Sequence, residues 1–347
     1  MFYQHNSNLL SDKNYVSLFN QMDKCFLFWT FLPFIRQDLH KRQKIARILF
    51  IIFMCSVSTV SAVKHIISIM LTNDNKYFYY TGDVSVMCGK GQFVFLFVSL
   101  ITMILFIVST IQVNLHYFNG SQICLQSVKF FNEPSKEKEV DAQIKKKLYR
   151  TFKITIMVAN LEAFFVCFIY FIMHQSYLQY PYPLILLMIF PLIDDLIAAY
   201  LGLQFFGTKP MIFANCCYYY KLKFEHIENK IKKINQRLMA QGIGTDRSCD
   251  LVLNLINTYK KTANEIKKSN EFWSLHMGVV FAGGTVIYLL PLYIVSFVEL
   301  TIVVVTAFVT FIVISFIHSV CIPGIACYFL YYQVIQFFYI NLMAKTI

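Results

Sequence analysis

Asp194 and Asp195 stand side by side in MIFPLIDDLIAAYLGL, residues 188–203, a stretch otherwise free of charge. An ionised carboxylate at the centre of a membrane helix costs at least ~2.5–3.5 kcal/mol, so both need protein or water around them. Such a pair can be a catalytic acid–base couple, a proton relay or an element of a cation pathway. It can also be a hydrogen-bonded pair inside a bundle with no chemical role. Neighbours on a helix of 3.6 residues per turn point about 100° apart. Both can face a bundle only across a wide buried arc. Glu162 is a third acid within an apolar run, and His65 beside Lys64 is a histidine in the same position.

Nothing accompanies these groups that would make an enzyme. HExxH, GxSxG, a Gly-rich phosphate loop and His/Cys metal spacing are all missing from the sequence. No cofactor or metal is expected. The ten cysteines contain no CxxC, and only Cys88 falls in a loop read as external, so packed or free thiols are expected.

The elements that must position these groups are membrane helices. The 347 residues are 57% hydrophobic and 14% charged, with mean hydropathy +0.54, whereas a soluble domain carries about 25% charged residues. The class implied is an all-α polytopic membrane bundle. About 20 apolar residues cross a bilayer, and the predicted spans are 48–71, 92–113, 153–173, 183–206, 275–297, 300–320 and 323–343. The first six are distinct. Pro323-Gly324 marks the expected break before the seventh. The first 24 residues lack an apolar core, so span one is expected to act as its own anchor.

Lysine and arginine orient the chain. Segments 1–47, 114–152 and 207–274 hold 26 of them, against two in 72–91 and 174–182 together. The N-terminus is therefore read as cytoplasmic, which places the Asn119-Gly120-Ser121 sequon inside. The organisation follows: a cytoplasmic segment 1–47 with an amphipathic pre-helix, spans one to four in 48–206, a cytoplasmic helical anchor in 207–274, and the remaining spans in 275–347.

The anchor has heptad character. Tyr220, Phe224, Ile227, Ile231, Ile234 and Leu238 form one seam. The turn AQGIGTDRS follows, and then a second seam of Val252, Ile256, Tyr259, Ala263, Ile266 and Trp273, with Asn270 its one polar member. These predict a helical hairpin that continues span four and leads into span five. Its seam residues can pack on each other or also build a subunit interface. Before span three, Val140, Ile144, Leu148 and Phe152 predict a short juxtamembrane helix. Tyr170, Tyr177, Tyr180, Tyr182, Tyr288 and Tyr293 sit in the outer halves. They read either as an interfacial belt or as the wall of an aromatic pocket.

With these features in place the chain resembles the arthropod chemoreceptor superfamily of gustatory and odorant receptors. CFLFWTFLPFIRQDLHKRQKIARILF is similar to the family's pre-helix and Pro-containing entry to span one. The cytoplasmic N-terminus and the long helical loop between spans four and five match its plan. YKKTANEIKKSNEFWSLHMGVVFAGG is similar to its lead into span five, with Asn270 and Phe272 in the corresponding places. The resemblance implies a homo- or hetero-tetrameric ligand-gated cation channel of the plasma membrane. A small organic ligand and membrane lipid would be its partners, and nucleic acid would not. It implies a ligand pocket drawn from Glu162, Tyr170, Asp194, Asp195, Tyr288 and Tyr293. It implies a pore on the last helix, here Tyr328, Gln333, Gln336 and Phe337. Subunit anchoring would use Ile227, Ile231, Ile234, Leu238, Ile256, Tyr259, Ile266 and Trp273.

The last helix departs from the family pattern. In CYFLYYQVIQFF, Tyr328 and Gln336-Phe337 echo the Thr-Tyr and Gln-Phe elements, but the spacing is two residues longer and Cys327 replaces Thr. The family's cytoplasmic stretch between spans six and seven is also missing. Residues 323–343 therefore form either a separate pore helix or an extension of span six. Two other classes stay open: a G-protein-coupled chemoreceptor, against which the charge bias argues, and a small-solute transporter, for which no internal repeat is visible.

Overall fold

The computed structural model describes residues 41–71, 92–118, helical positions between 144 and 168, 182–241, 246–300 and 302–343. Among them there is no strand. The helices are α1 (Lys41–Met70), α2 (Gln92–Phe118), α3 (Tyr182–Gln241), α4 (Asp246–Phe297), α5 (Ile302–Phe316) and α6 (Ile322–Met343), with a π-helical turn, Ile317–Cys321, between the last two. Three helical stretches among the described residues are long and apolar enough to cross a membrane: Lys41–Met70, Leu253–Phe297 and Phe308–Ile335. Gln92–Val108 is a shorter apolar helix.

α1 and α2 contain neither Gly nor Pro and pack side by side. Phe50 and Met54 of α1 meet Phe106 of α2, with Ile197 and Tyr200 of α3 closing the cluster. Hydroxyl residues on outward faces donate to the carbonyl four residues back: Thr59 to Cys55, Thr306 to Ile302 and Thr310 to Thr306, at 2.7, 2.8 and 2.8 Å. A threonine satisfied in this way can face lipid without stranding a polar group.

α3 is 60 residues long and α4 is 52. Each carries an apolar segment and the adjoining charged segment in one continuous helix. α4 ends with the Val298 N–H donating to the Ile294 carbonyl at 2.9 Å. The chain reverses between Phe297 and Ile302, and α5 returns along α4.

The break expected at Pro323-Gly324 does not occur. Residues 302–343 run on as helix, and the backbone is right-handed helical at Phe316 and Ile322, the residues flanking the π turn. A proline lacks the N–H for a helical bond, and its ring crowds the carbonyl four residues earlier. That carbonyl belongs to Ser319, inside the π turn. There the Ile322 N–H bonds the Ile317 carbonyl, five residues back. The wider turn makes room for the ring. Residues 323–343 thus extend the sixth apolar helix and do not follow it as a separate element.

The charged half of α3 is the centre of a second packed unit. Phe224 and Ile227 are buried among Ile231 of α3, Leu255, Tyr259 and Ile266 of α4, and Leu330 and Val334 of α6. Burial of each large apolar side chain contributes about 1.5–3 kcal/mol. The hairpin is therefore two sides of a three-helix unit.

Candidate functional site

The groups that could do chemistry inside the bundle meet on one face of α1. Ser58, Ser61, His65 and Ser68 follow one another at steps of three, four and three. All are buried, the three serines at 0% exposure. The spacing puts them on a single stripe, one turn beyond Phe50 and Met54. The Ser61 hydroxyl donates to Asp194 Oδ2 at 2.7 Å, across from α3. The seam is thus a column of hydroxyls and an imidazole, with one carboxylate at mid-length.

These serines differ from the outward threonines in how they are satisfied. Ser61 uses its hydroxyl across helices. The Ser58 and Ser68 hydroxyls have no hydrogen-bond partner among the described residues. A buried hydroxyl without a partner costs about 1–3 kcal/mol. Water or a polar solute held along the column would remove that cost. The stripe is present in the sequence as S-x-x-S-x-x-x-H-x-x-S, but serine carries little hydropathy signal, so only His65 stands out there.

The other expected site residues separate into groups. Glu162, Tyr170 and the side chains of Asp195, Leu238, Gln336 and Phe337 lie outside the described residues. Tyr288 is half-buried, 5.7 Å edge-on from Phe316, and its hydroxyl is 3.4 Å from Thr285 Oγ1. Tyr293 is exposed and stacks near Phe297 at 4.9 Å. Neither tyrosine touches the seam through any described bond. Tyr328 is 62% exposed and stacks on Tyr332 at 6.3 Å.

Gln333 is buried, and its amide donates to Glu228 Oε2 at 2.7 Å. Glu228 also pairs with Lys232 at 2.6 Å. Gln333 is therefore occupied within the protomer, joining α6 to α3.

In the three-helix unit, Ile227 and Trp273 are buried, and Ile231, Ile234, Tyr259 and Ile266 are half-buried. On α4 the face packed within the protomer is offset by one residue from the seam read in the sequence. Ile256 is exposed at 44%, Ala263 is half-buried and Asn270 is exposed. The inward stripe is Leu255, Tyr259, Thr262, Ile266, Ser269 and Trp273. Tyr259, Ile266 and Trp273 belong to both stripes. Thr262 and Ser269 are polar, yet each is satisfied: Thr262 donates to the Thr258 carbonyl at 3.0 Å, and Ser269 hydrogen-bonds Tyr220.

Polar contacts register the unit. Lys223 pairs with Glu265 at 2.9 Å, and the Tyr220 hydroxyl donates to the Glu265 carbonyl at 3.4 Å. Burial pushes the Tyr220 phenol up, against the opposing Ser269 hydrogen bond. Burial also pushes Lys209, at the head of the unit, well below the usual lysine range. The Cys217 thiol is raised by its hydrogen bond with Cys327 of α6 and by burial. Ile144 and Leu148 of the expected juxtamembrane helix are both buried.

Among the described residues no three His, Cys, Asp or Glu side chains come together as a metal site. No family model, curated protein or solved structure matches the chain.

Proposed function

We propose that the protein is a multi-pass membrane receptor of the chemosensory type, a ligand-gated cation channel with a cytoplasmic N-terminus. The observation that carries this reading is the Ser61–Asp194 bond at the middle of the buried Ser58–Ser68 column. An intramembrane carboxylate beside hydroxyls is suited to holding a cation or an amine ligand. The excess of lysine and arginine on one side of the spans supports the orientation. The three-helix unit of α3, α4 and α6 supplies a rigid base through which subunits can assemble.

A second reading is favoured by one feature. The polar column and Gln333 both lie within a single protomer, which also suits a small-solute transporter with its path inside each subunit. Whole-cell recording separates the two. A channel gives single-channel steps when an amine ligand is applied without G-protein activation, and Asp194→Asn reduces them at normal surface expression. A transporter gives solute uptake with no unitary events. Wild-type currents in Asp194→Asn and Ser61→Ala would remove the seam from the mechanism.

A further inference from the structure

We propose that Cys217 and Cys327 are a redox pair, which hydrogen peroxide closes into a disulfide tying α6 to α3. This goes beyond the receptor reading. Only the resting state uses the orientation proposed above, because the cytoplasm keeps thiols reduced.

The pair is one of four contacts between the same two helix faces. The Lys221 ammonium lies 5.2 Å from the Phe329 ring centroid. Phe224 packs against Leu330 and Val334, and Glu228 accepts from Gln333 at 2.7 Å. Cys217 and Cys327 precede these along both helices and share a thiol hydrogen bond. The later contacts hold the two sulfurs in register. They have only to close from hydrogen-bond contact to a bond of about 2.05 Å. Cys216 is buried as well, but a residue one step along a helix points about 100° away.

The two thiols differ in access. Cys217 is buried and Cys327 is exposed. Cys217 lies past residue 206, the expected end of span four, with Lys221 one turn further on. At ~1.5 Å per residue it stands ~16 Å beyond that end. Cys327, beside it, is therefore open to water and to oxidants dissolved in water. The hydrogen bond with Cys327 and burial push the Cys217 thiol up, so Cys217 keeps its proton and donates it. The Cys327 sulfur is then the acceptor and the nucleophile, and oxidation starts at such an exposed thiol.

The Cys327 sulfur attacks one peroxide oxygen, and the O–O bond breaks. Water leaves with the thiol proton, and Cys327 becomes a sulfenic acid. The Cys217 sulfur attacks the Cys327 sulfur, and the S–O bond breaks. A second water leaves with the Cys217 proton. The two thiols have given up two electrons, and the peroxide is reduced to two waters. Glutathione reopens the bond by thiol exchange.

The test uses the full chain purified in detergent with a reductant, which is then removed. Hydrogen peroxide is added, free thiols are alkylated, and digests are read by mass spectrometry. Wild type is expected to lose the Cys217 and Cys327 thiols together and to yield a Cys217–Cys327 linked peptide pair. Dithiothreitol should restore both thiols. Oxidation should raise the unfolding temperature by about 5 °C. Cys327→Ser changes an exposed position, so it should unfold with reduced wild type and lose both the linkage and the rise. Cys217→Ser should leave a Cys327 sulfenic acid that dimedone traps. Wild-type mapping and Cys327→Ser decide the matter even where Cys217→Ser folds poorly. A Cys327 sulfinic acid beside an alkylated Cys217 overturns the pair. So does a linkage that survives in Cys217→Ser, a Cys327–Cys327 link between copies, or peroxide treatment that consumes neither thiol. None of these outcomes touches the receptor reading.

Discussion

At the scale of single residues, the molecule distinguishes hydroxyl groups by where they spend their proton. Outward threonines return it to their own helix, and Ser61 gives it to Asp194. Replacing Ser61 by Ala removes the charge-assisted partner of a carboxylate, a loss of about 1.5–3 kcal/mol for such a bond. Thermal unfolding in detergent should therefore shift downward for Ser61→Ala, and much less for exposed Thr59→Ala. Gly284 gives a sharper test. A Cβ built there would lie 2.6 Å from Ser319 Cβ and 2.9 Å from its hydroxyl. Gly284→Ala should destabilise by ~1–3 kcal/mol through overpacking of α4 on the π turn. Ser319→Ala keeps the clashing carbon and should not rescue it, whereas Ser319→Gly should. Equal melting temperatures for Gly284→Ala and wild type would show that the two helices stand further apart.

Among helices and their junctions, the legible part was the periodicity. The hairpin of α3 and α4 is written in Phe224, Ile227, Tyr259 and Ile266, and those residues do form its core. Two things were not legible. The packed α4 stripe runs through Leu255, Thr262 and Ser269, one residue before Ile256, Ala263 and Asn270, because apolar character ranks Ala263 above Thr262 and does not separate Leu255 from Ile256. The Ser269–Tyr220 hydrogen bond and the Thr262 bond to its own helix let these hydroxyl residues take the buried face. The π turn was also invisible, since Pro323-Gly324 carries the ordinary signature of a break. Only the register shift at Ile317–Ile322 lets the helix pass through it. The polar column was present in the sequence, but its partner Asp194 is 133 residues away from Ser61, and no local pattern joins them. Phe224→Ala should cost ~3–5 kcal/mol and loosen all three helices together. Hydrogen exchange should then rise in 255–266 and 330–334 as well as around 224. An increase confined to α3 would mean that the three do not fold as one unit. Gln333→Ala strands part of the buried Glu228 carboxylate and should cost ~1–3 kcal/mol, whereas Tyr328→Ala, at an exposed position, should cost far less.

For the whole molecule, the open quantity is orientation. The lysine and arginine bias predicts that Asn119 stays unglycosylated and that a tag at residue 243 is reached by antibody only after permeabilisation. Glycan on Asn119, or labelling of intact cells at 243, would invert the topology. The length of α3 bears on how this can be seen. Sixty residues rising 1.5 Å each make a helix of ~90 Å, about three times a ~30 Å hydrocarbon layer. With its apolar end in the bilayer, the charged end and its two partner helices must stand clear on one face alone. A particle imaged in a nanodisc would show a protrusion on that side, so each projection would report its own polarity without a fiducial.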